Sequence, residues 1–473
     1  MSPNRNRQII YYSAYFEIFR VKNHMSQSLN VAKFGGTSVA NYHAINNCAS
    51  IVINNAHTKV MVVSAAAGVT NQLVMLANIA LTSEQITDVV ESVRKIQLSI
   101  LNKLKKPSEV DDKLFGLLDE LNDYARHEEI NYRDDLKDAL MSMGERMSSL
   151  LCAAVLREHG ANAINFDIRK VMRTNDRFTE AIPDIVNIKL LSQQLLAPEL
   201  EQHIVVTQGF VGADAHGRTT TLGRGGSDFT AALLAEALGA QTCEIWTDVI
   251  GVYTTDPRIT DKARPLPELS FEEAAEMATF GAKVLHPATM EPALRQNIQV
   301  FVGSSSEPEK GGTWIKRNCQ YEPAFRAITR RKDQVLVTVK TPKMMYAQGF
   351  LERVFHIIAK HDLSVDLITT SEIAVSFTLD NPPNSMSEKM NKETIVELSN
   401  ICEVAIERDF DVVTVVGNNM HSEAGVSSRV FAAIGDFNLR MICFGANVHN
   451  LSFVVSKNDS EEIVKTLHRA LFE

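Results

Sequence analysis

Residues 29–303 predict an α/β body, a mainly parallel sheet with helices on both faces, and the residues after it predict a tandem pair of smaller β-α-β-β-α-β units. Three observations carry this. From Asn30 to about Val300, short β-branched runs alternate with longer amphipathic stretches, the pattern of strands and helices that take turns along the chain. Farther on the sequence repeats itself: Val337-Thr338-Val339 returns as Val413-Thr414-Val415, Arg353-Val354-Phe355 as Arg429-Val430-Phe431, and Ser376-Phe377 as Ser452-Phe453, always 76 positions apart. Between the two regions, Ser304-Ser305-Ser306-Glu307-Pro308-Glu309-Lys310-Gly311-Gly312 gathers polar and turn-forming residues, which marks a domain boundary.

Taken in order, residues 1–28 form an extension. Its apolar run over 9–21 follows two arginines, but Glu17 interrupts it and no A-x-A cleavage site follows, so it is not read as a signal peptide. Met25 opens the segment that leads into the first strand, so residues 1–24 read as a start-site artefact or a loose tail. Val60-Met61-Val62-Val63, His203-Ile204-Val205-Val206-Thr207, Cys243-Glu244-Ile245-Trp246 and Val300-Phe301-Val302 are short and apolar, as buried strands are. Residues 83–150 read as helical throughout, with charges of alternating sign around Leu, Ile and Val at three- and four-residue spacing. Residues 304–324 then read as a linker, 325–408 as the first small unit and 409–473 as the second. Each unit runs strand, Gly-led loop, helix, strand, strand, with a further helix at 387–400 and 461–472. Pairing of their sheets edge to edge would cover unpaired backbone groups, a reason for tandem copies and for a dimer.

Composition excludes several classes. A 473-residue chain exceeds one hydrophobic core, and 45% hydrophobic with 22% charged residues is ordinary globular usage. A net charge of −9 argues against a nucleic-acid binder or an anionic-membrane binder, so any anionic ligand needs a local cluster of cations. No stretch of about 20 apolar residues stands out as a bilayer span. Cys48, Cys152, Cys243, Cys319, Cys402 and Cys443 lie far apart, with no C-x-x-C pair and no zinc spacing, and read as reduced thiols of a cytoplasmic protein without a metal site.

Three motifs carry chemistry. Val31-Ala32-Lys33-Phe34-Gly35-Gly36-Thr37-Ser38 ends a strand with a lysine and a double glycine ahead of a helix. Glycines let backbone N–H groups approach a phosphate, and a helix N-terminus adds about half a positive charge there. It is not a Walker loop, since no G-x-x-x-x-G-K-[ST] occurs. The second motif, Leu222-Gly223-Arg224-Gly225-Gly226-Ser227-Asp228, precedes an Ala-rich helix over 229–238. Its arginine offers a bidentate grip on a carboxylate, and Asp228 would be costly near phosphates unless paired with a lysine. Together the two turns suit a nucleotide and a carboxylate held side by side. The third, Trp246-Thr247-Asp248-Val249 through Gly251-Val252-Tyr253-Thr254-Thr255-Asp256-Pro257-Arg258, could grip a nucleotide's ring and ribose, although spacing alone does not establish that.

At this point the strings KFGGTS, GRTTTLGRGGSD, WTDVxGVYTTDPR and ATFGAKVLHPAT resemble the aspartate kinases of the amino-acid kinase superfamily, and Met143-Gly144-Glu145-Arg146-Met147-Ser148 resembles their substrate helix. The resemblance covers roughly residues 29–473 and is nearest to the monofunctional lysine-sensitive aspartokinases. It implies an amino-acid kinase fold followed by tandem ACT domains. It also implies the conversion of ATP and L-aspartate to ADP and 4-phospho-L-aspartate, with Mg²⁺ accompanying ATP, as the first step towards lysine, threonine and methionine. Lys33, Asp228 and Lys283 would be catalytic. Lys33, Phe34, Gly35, Gly36, Thr247, Asp248, Tyr253, Arg258 and Lys283 would bind ATP. Thr70, Glu145, Arg224, Gly225, Gly226 and Ser227 would hold aspartate, with the carboxylate each takes left open.

The resemblance further implies lysine as feedback inhibitor. Its pocket would be Met344, Ala347, Phe350, Leu351, Ser364, Val365, Asp366, Thr370, Ser371 and Glu372, where Ala347 stands in place of the serine that related enzymes often carry. A homodimer, or dimer of dimers, through the ACT domains is expected. A carboxylate nucleophile is ionised at pH 7, so the lack of an obvious general base is no objection. His286 reads as a packed loop histidine. Two alternatives differ in class or substrate: a non-catalytic amino-acid sensor with an inactive kinase body, disfavoured by intact Lys33, Asp228 and Lys283, and a glutamate kinase, disfavoured by the tandem repeats and the Met143-containing helix. With no G-x-G-x-x-G after the repeats, fusion to a homoserine dehydrogenase is not expected.

Overall fold

The computed structural model describes residues 28–473 except 283, 284, 286, 346, 347 and 381–389. The readings placed on residues 1–27, Lys283, His286, Ala347 and the start of the 387–400 helix therefore lie outside the described residues. The chain divides after Trp246 into two compact units.

The first unit is built on β1 (Asn30–Phe34), β2 (Thr58–Val63), β3 (Ala163–Phe166), β4 (Ile204–Gln208) and β7 (Thr242–Thr247), which lie side by side as β3-β4-β2-β1-β7, every pair parallel. All five residues of β1 are buried. Because successive side chains leave opposite faces of a strand, both faces of β1 are covered, as a parallel sheet requires. A short hairpin, β5 (Val211–Ala213) with β6 (Thr219–Thr221), stands apart from this sheet. The helices are α1 (Tyr42–Asn54), α2 (Val69–Asn78), α3 (Ser83–Leu101), α4 (Asp111–Ala125), α5 (Asp134–Glu158), α6 (Ile185–Leu191) and α7 (Gly226–Leu238).

Local chemistry sets these limits. Asn41 caps α1 by accepting the Ala44 N–H, and Thr82 with Gln85 forms a capping box on α3. The 83–150 block is not one continuous helix: Pro107 disfavours helical backbone before it, and α3, α4 and α5 are separate. α7 starts three residues earlier than expected, after Gly225 at φ +75°, so Asp228 sits in its first turn. α5 meets the length and hydropathy of a membrane span, contrary to the sequence reading, but 89% of that stretch is buried inside the protein.

The second unit contains β8 (Glu268–Ser270), α8 (Phe271–Thr279), α9 (Pro287–Gln296), β9 (Gln299–Ser304) and β10 (Gly312–Lys316). β10 runs antiparallel to β9 and parallel to β8. The segment read as a linker from 304 is therefore partly a hairpin turn, closed by Gly311 at φ +78°, and partly a paired strand. Next come β11 (Ala327–Lys340), α10 (Phe350–Lys360), β12 (Val365–Thr370), β13 (Ala374–Asp380), α11 (Lys392–Ser399), β14 (Glu403–Val416), α12 (Val426–Ala433), β15 (Leu439–Phe444), β16 (Asn450–Ser456) and α13 (Ser460–Phe472).

These strands form one antiparallel six-stranded sheet in the order β12-β13-β11-β14-β16-β15. The expected edge-to-edge pairing of the repeats occurs within the chain, through β11 and β14. The repeat is visible in side chains: Thr338 pairs with Ser376 at 2.9 Å, and Thr414 with Ser452 at 2.8 Å. Phe355 leans on Phe377 as Phe431 leans on Phe453. Each repeat has its own core, one around Val337, Val354 and Phe377, the other around Val413, Val430 and Phe453. The second core is completed by Phe325 and Ile328, from the start of the first repeat.

Candidate active site

In the first unit Lys33 of β1 and the glycine turn before α7 line one cavity of about 720 Å³, while Phe34, Gly35 and Gly36 are not part of its wall. Lys33, on β1 and only 9% exposed, reaches Asp228 at the start of α7 with Nζ 2.6 Å from Oδ1. The pair is formed as the sequence motif required of Asp228. The turn after Lys33 is fixed by its backbone: Gly35 N–H donates to Trp246 O, Ser64 N–H to Phe34 O and Ala67 N–H to Gly36 O. A Cβ on Gly36 would lie 2.8 Å from Ala65 O, so this close passage of two backbones admits glycine alone.

Glu145 enters the same cavity from α5. Its Oε1 accepts the Ala65 N–H at 3.0 Å, and one turn later Ser148 Oγ accepts the Ala66 N–H at 3.1 Å, so α5 is tied to the end of β2. Burial pushes the Glu145 carboxyl up to about 8, against the opposing pull of the Ala65 N–H and of nearby Lys33. Thr70, at the start of α2, and the Arg224–Asp228 turn complete the wall. Of the residues singled out in sequence, Lys33, Thr70, Glu145, Arg224, Gly225, Gly226, Ser227 and Asp228 thus surround a single space.

Sequence reasoning missed several of its neighbours, above all Asp138. This carboxylate is 1% exposed and accepts the N–H groups of Thr179 (2.9 Å) and Thr221 (2.8 Å) and the Thr221 hydroxyl (2.7 Å). It ties α5 to the segments on which the Arg224 turn rests. Desolvation raises its carboxyl to about 6, with those three donors opposing. The signal was present in the spacing: Asp134, Lys137, Asp138, Met141 and Glu145 recur at three and four residues and form one stripe of α5 along the cavity.

The second unit holds the remaining nucleotide-motif residues. Thr247 Oγ1 donates to Asp248 Oδ1 at 3.2 Å. Tyr253 bridges to Pro265, and Arg258 folds back on Asp256, donating from its backbone N, Nε and Nη2 at 2.7–2.9 Å. That contact holds the Asp256 carboxyl below its ordinary range. The Arg258 side chain remains 85% exposed. Of the residues read as an effector pocket, Phe350 is buried in the first repeat's core, with Met344 and Val365 packed on it. Leu351, Ser364, Thr370, Ser371 and Glu372 are exposed, and Asp366 forms an ion pair with Arg331 at 3.0 Å.

Comparison with known proteins gives the family. Residues 28–304 match the model of the amino acid kinase family, and residues 413–471 match the ACT domain. The lysine-sensitive aspartokinase 3 of Escherichia coli is 47% identical over 445 residues, covering 94% of this chain and 99% of that protein. An aspartokinase of Chlamydia pneumoniae is 34% identical, covering 93% of this chain and 96% of that one. Among solved structures, E. coli aspartokinase III with aspartate and ADP, in its R state, superposes with a TM-score of 0.87 at 47% identity, covering 94% of this chain and all of that one. The same enzyme with lysine and aspartate, in its T state, gives 0.80 at 48% identity over the same shares. The chain belongs to the amino acid kinase family, and within it to the aspartokinases.

Proposed function

We propose that this chain is an ATP-dependent aspartate kinase, inhibited by lysine through its first ACT repeat. The observation that carries the reading is the Lys33–Asp228 ion pair in the wall of a cavity shared with Glu145 and Arg224. The β-carboxylate of L-aspartate attacks the γ-phosphorus of ATP; a new P–O bond forms as the bond to the β,γ-bridging oxygen breaks, and ADP leaves. At neutral pH the attacking carboxylate is already ionised, so the protein's task is alignment and cancellation of phosphate charge.

Lys33 and Lys283 would meet the phosphates as mobile point charges, with Asp228 holding the Lys33 ammonium in place. Gly35 and Gly36 would pass their backbone close to the phosphates, beside Phe34, and Thr247, Asp248, Tyr253 and Arg258 would take the rest of the nucleotide, which arrives with Mg²⁺. Glu145 would meet the α-ammonium of aspartate, while Arg224, Thr70 and the 225–227 backbone and hydroxyl would meet its carboxylates. Lysine would be taken by Asp366 and Glu372 as anions, with Met344, Ala347, Phe350, Leu351, Ser364, Val365, Thr370 and Ser371 around its stem. Assembly through the ACT sheet into a homodimer and a cytoplasmic location belong to the same reading.

The test is ADP release from purified protein with MgATP and L-aspartate, with L-glutamate and no acceptor as controls, repeated with millimolar lysine and threonine. Aspartate-dependent turnover suppressed by lysine is expected. Folded protein without such turnover would overturn the catalytic reading in favour of an amino-acid sensor.

A further inference from the structure

The loop that carries Tyr253 and Arg258 is anchored by the last helix of the chain. Thr254 and His468 are both buried, at 5% and 0% exposure, and Thr254 Oγ1 lies 3.0 Å from His468 Nε2. The donors and acceptors around this contact close into one arrangement. His468 Nδ1 faces the acceptor-only Glu473 carboxylate at 3.3 Å, so in the neutral ring Nδ1 carries the proton and Nε2 accepts. Thr254 Oγ1 accepts the Arg264 N–H at 3.0 Å and has its own proton to donate to Nε2. Three further contacts point the same way. The Thr254 carbonyl accepts the Ile328 N–H at 2.7 Å, Arg264 Nη2 donates to Phe472 O at 2.7 Å, and Ile259 packs on the core that contains Ile328, Ile463 and Leu467. Thr254 and Ile259 are thus both pinned to the second repeat, and Asp256 and Arg258 are presented on the short span between them.

We infer that His468 is a positioning residue for nucleotide binding, and that the second ACT repeat is a structural part of the nucleotide side of the enzyme in addition to any sensing role. This rests on the reading of Tyr253 and Arg258 as nucleotide contacts. A hydrogen bond from Thr254 to His468 restrains the loop's backbone, and its loss leaves a buried hydroxyl or ring nitrogen without a partner, which moves or loosens the loop.

The test uses the full-length protein and separates the two substrates. His468→Leu removes both ring nitrogens, and it is expected to raise KM for MgATP about tenfold while KM for L-aspartate stays within about twofold. His468→Gln, which returns an acceptor near Nε2, recovers most of the loss. Thr254→Val keeps the side-chain shape, reproduces the effect from the other partner and supplies the readout if the leucine variant does not fold. The double variant is no worse than Thr254→Val alone, which already removes this bond together with the acceptor of the Arg264 N–H. Thermal melting of each variant confirms the fold, and Tyr253→Ala serves as the control for the loop. If Tyr253→Ala raises KM for MgATP while Thr254→Val leaves it unmoved, or if both substrates' KM values rise together in Thr254→Val, the positioning role is overturned. If Tyr253→Ala leaves KM for MgATP unmoved, the nucleotide assignment of the loop fails and this inference fails with it.

Discussion

Protonation of Glu145 is expected to control aspartate affinity. The carboxyl is 6% exposed, and burial lifts it to about 8, even though the Ala65 N–H and Lys33 favour its charged form. An α-ammonium can pair with it only when it is ionised, so each binding event at lower pH must first remove a proton. The apparent dissociation constant is then multiplied by one plus the ratio of protonated to ionised enzyme, a factor of about 100 at pH 6, about 11 at pH 7 and about 2 at pH 8. Affinity for L-aspartate should therefore rise about fiftyfold from pH 6 to pH 8. At pH 7 binding should release about 0.9 proton per site.

Calorimetric titration with aspartate at pH 7, in two buffers of different ionisation enthalpy, reads that release directly. Glu145→Gln should bind aspartate more weakly, with a flat profile and no proton release. Zero release by the native protein, with equal affinity at pH 6 and pH 8, would refute the argument. The same shift has a stability consequence whose sign is fixed. The folded-state value lies above the unfolded one, so the stabilisation it represents is complete below pH 4.5 and is lost as pH rises through about 8. Ligand-free Glu145→Gln should accordingly be more stable than the native protein at pH 8, by on the order of 3 kcal/mol in urea denaturation.

Three further perturbations test other parts of the molecule. Arg326 and Glu273 form an ion pair at 2.6 Å with side chains 5% and 0% exposed, and Asn418 donates to the same carboxylate; Arg326→Met leaves a buried charge and should cost about 3–5 kcal/mol, seen as a lower urea midpoint. Asp366→Ala, at the ion pair with Arg331, should keep aspartate-dependent turnover but raise the lysine concentration for half inhibition at least about tenfold; unchanged inhibition would remove Asp366 from the effector pocket. Gly36→Ala drives a methyl towards the Ala65 carbonyl, displaces the turn after Lys33 and should lower the melting temperature and, in the protein that remains folded, reduce kcat/KM about a hundredfold.

Much of this protein was legible along the chain because its signals are local. Strands β1, β2, β4, β7 and β9 appear as short apolar runs, since a strand covered on both faces has no polar side to show. The 76-residue repeat predicted two similar units, and the matched pairs Thr338–Ser376 and Thr414–Ser452 show why those positions recur: each joins neighbouring strands by the same hydrogen bond. The glycine turns with Lys33 and Asp228 were readable because a short turn needs particular residues in sequence order. Other features depended on tertiary contact. Asp138 looked like one charge among many on a polar helix, and only folding brings Thr179 and Thr221 to it. His468 and Thr254 are separated by 214 positions, and nothing in either neighbourhood names the other. The sequence by itself determined most of the elements and the glycine turns that follow β1 and precede α7. The tertiary structure decided which buried polar groups meet, because each such group must find its partner across the fold or bear the full cost of leaving water.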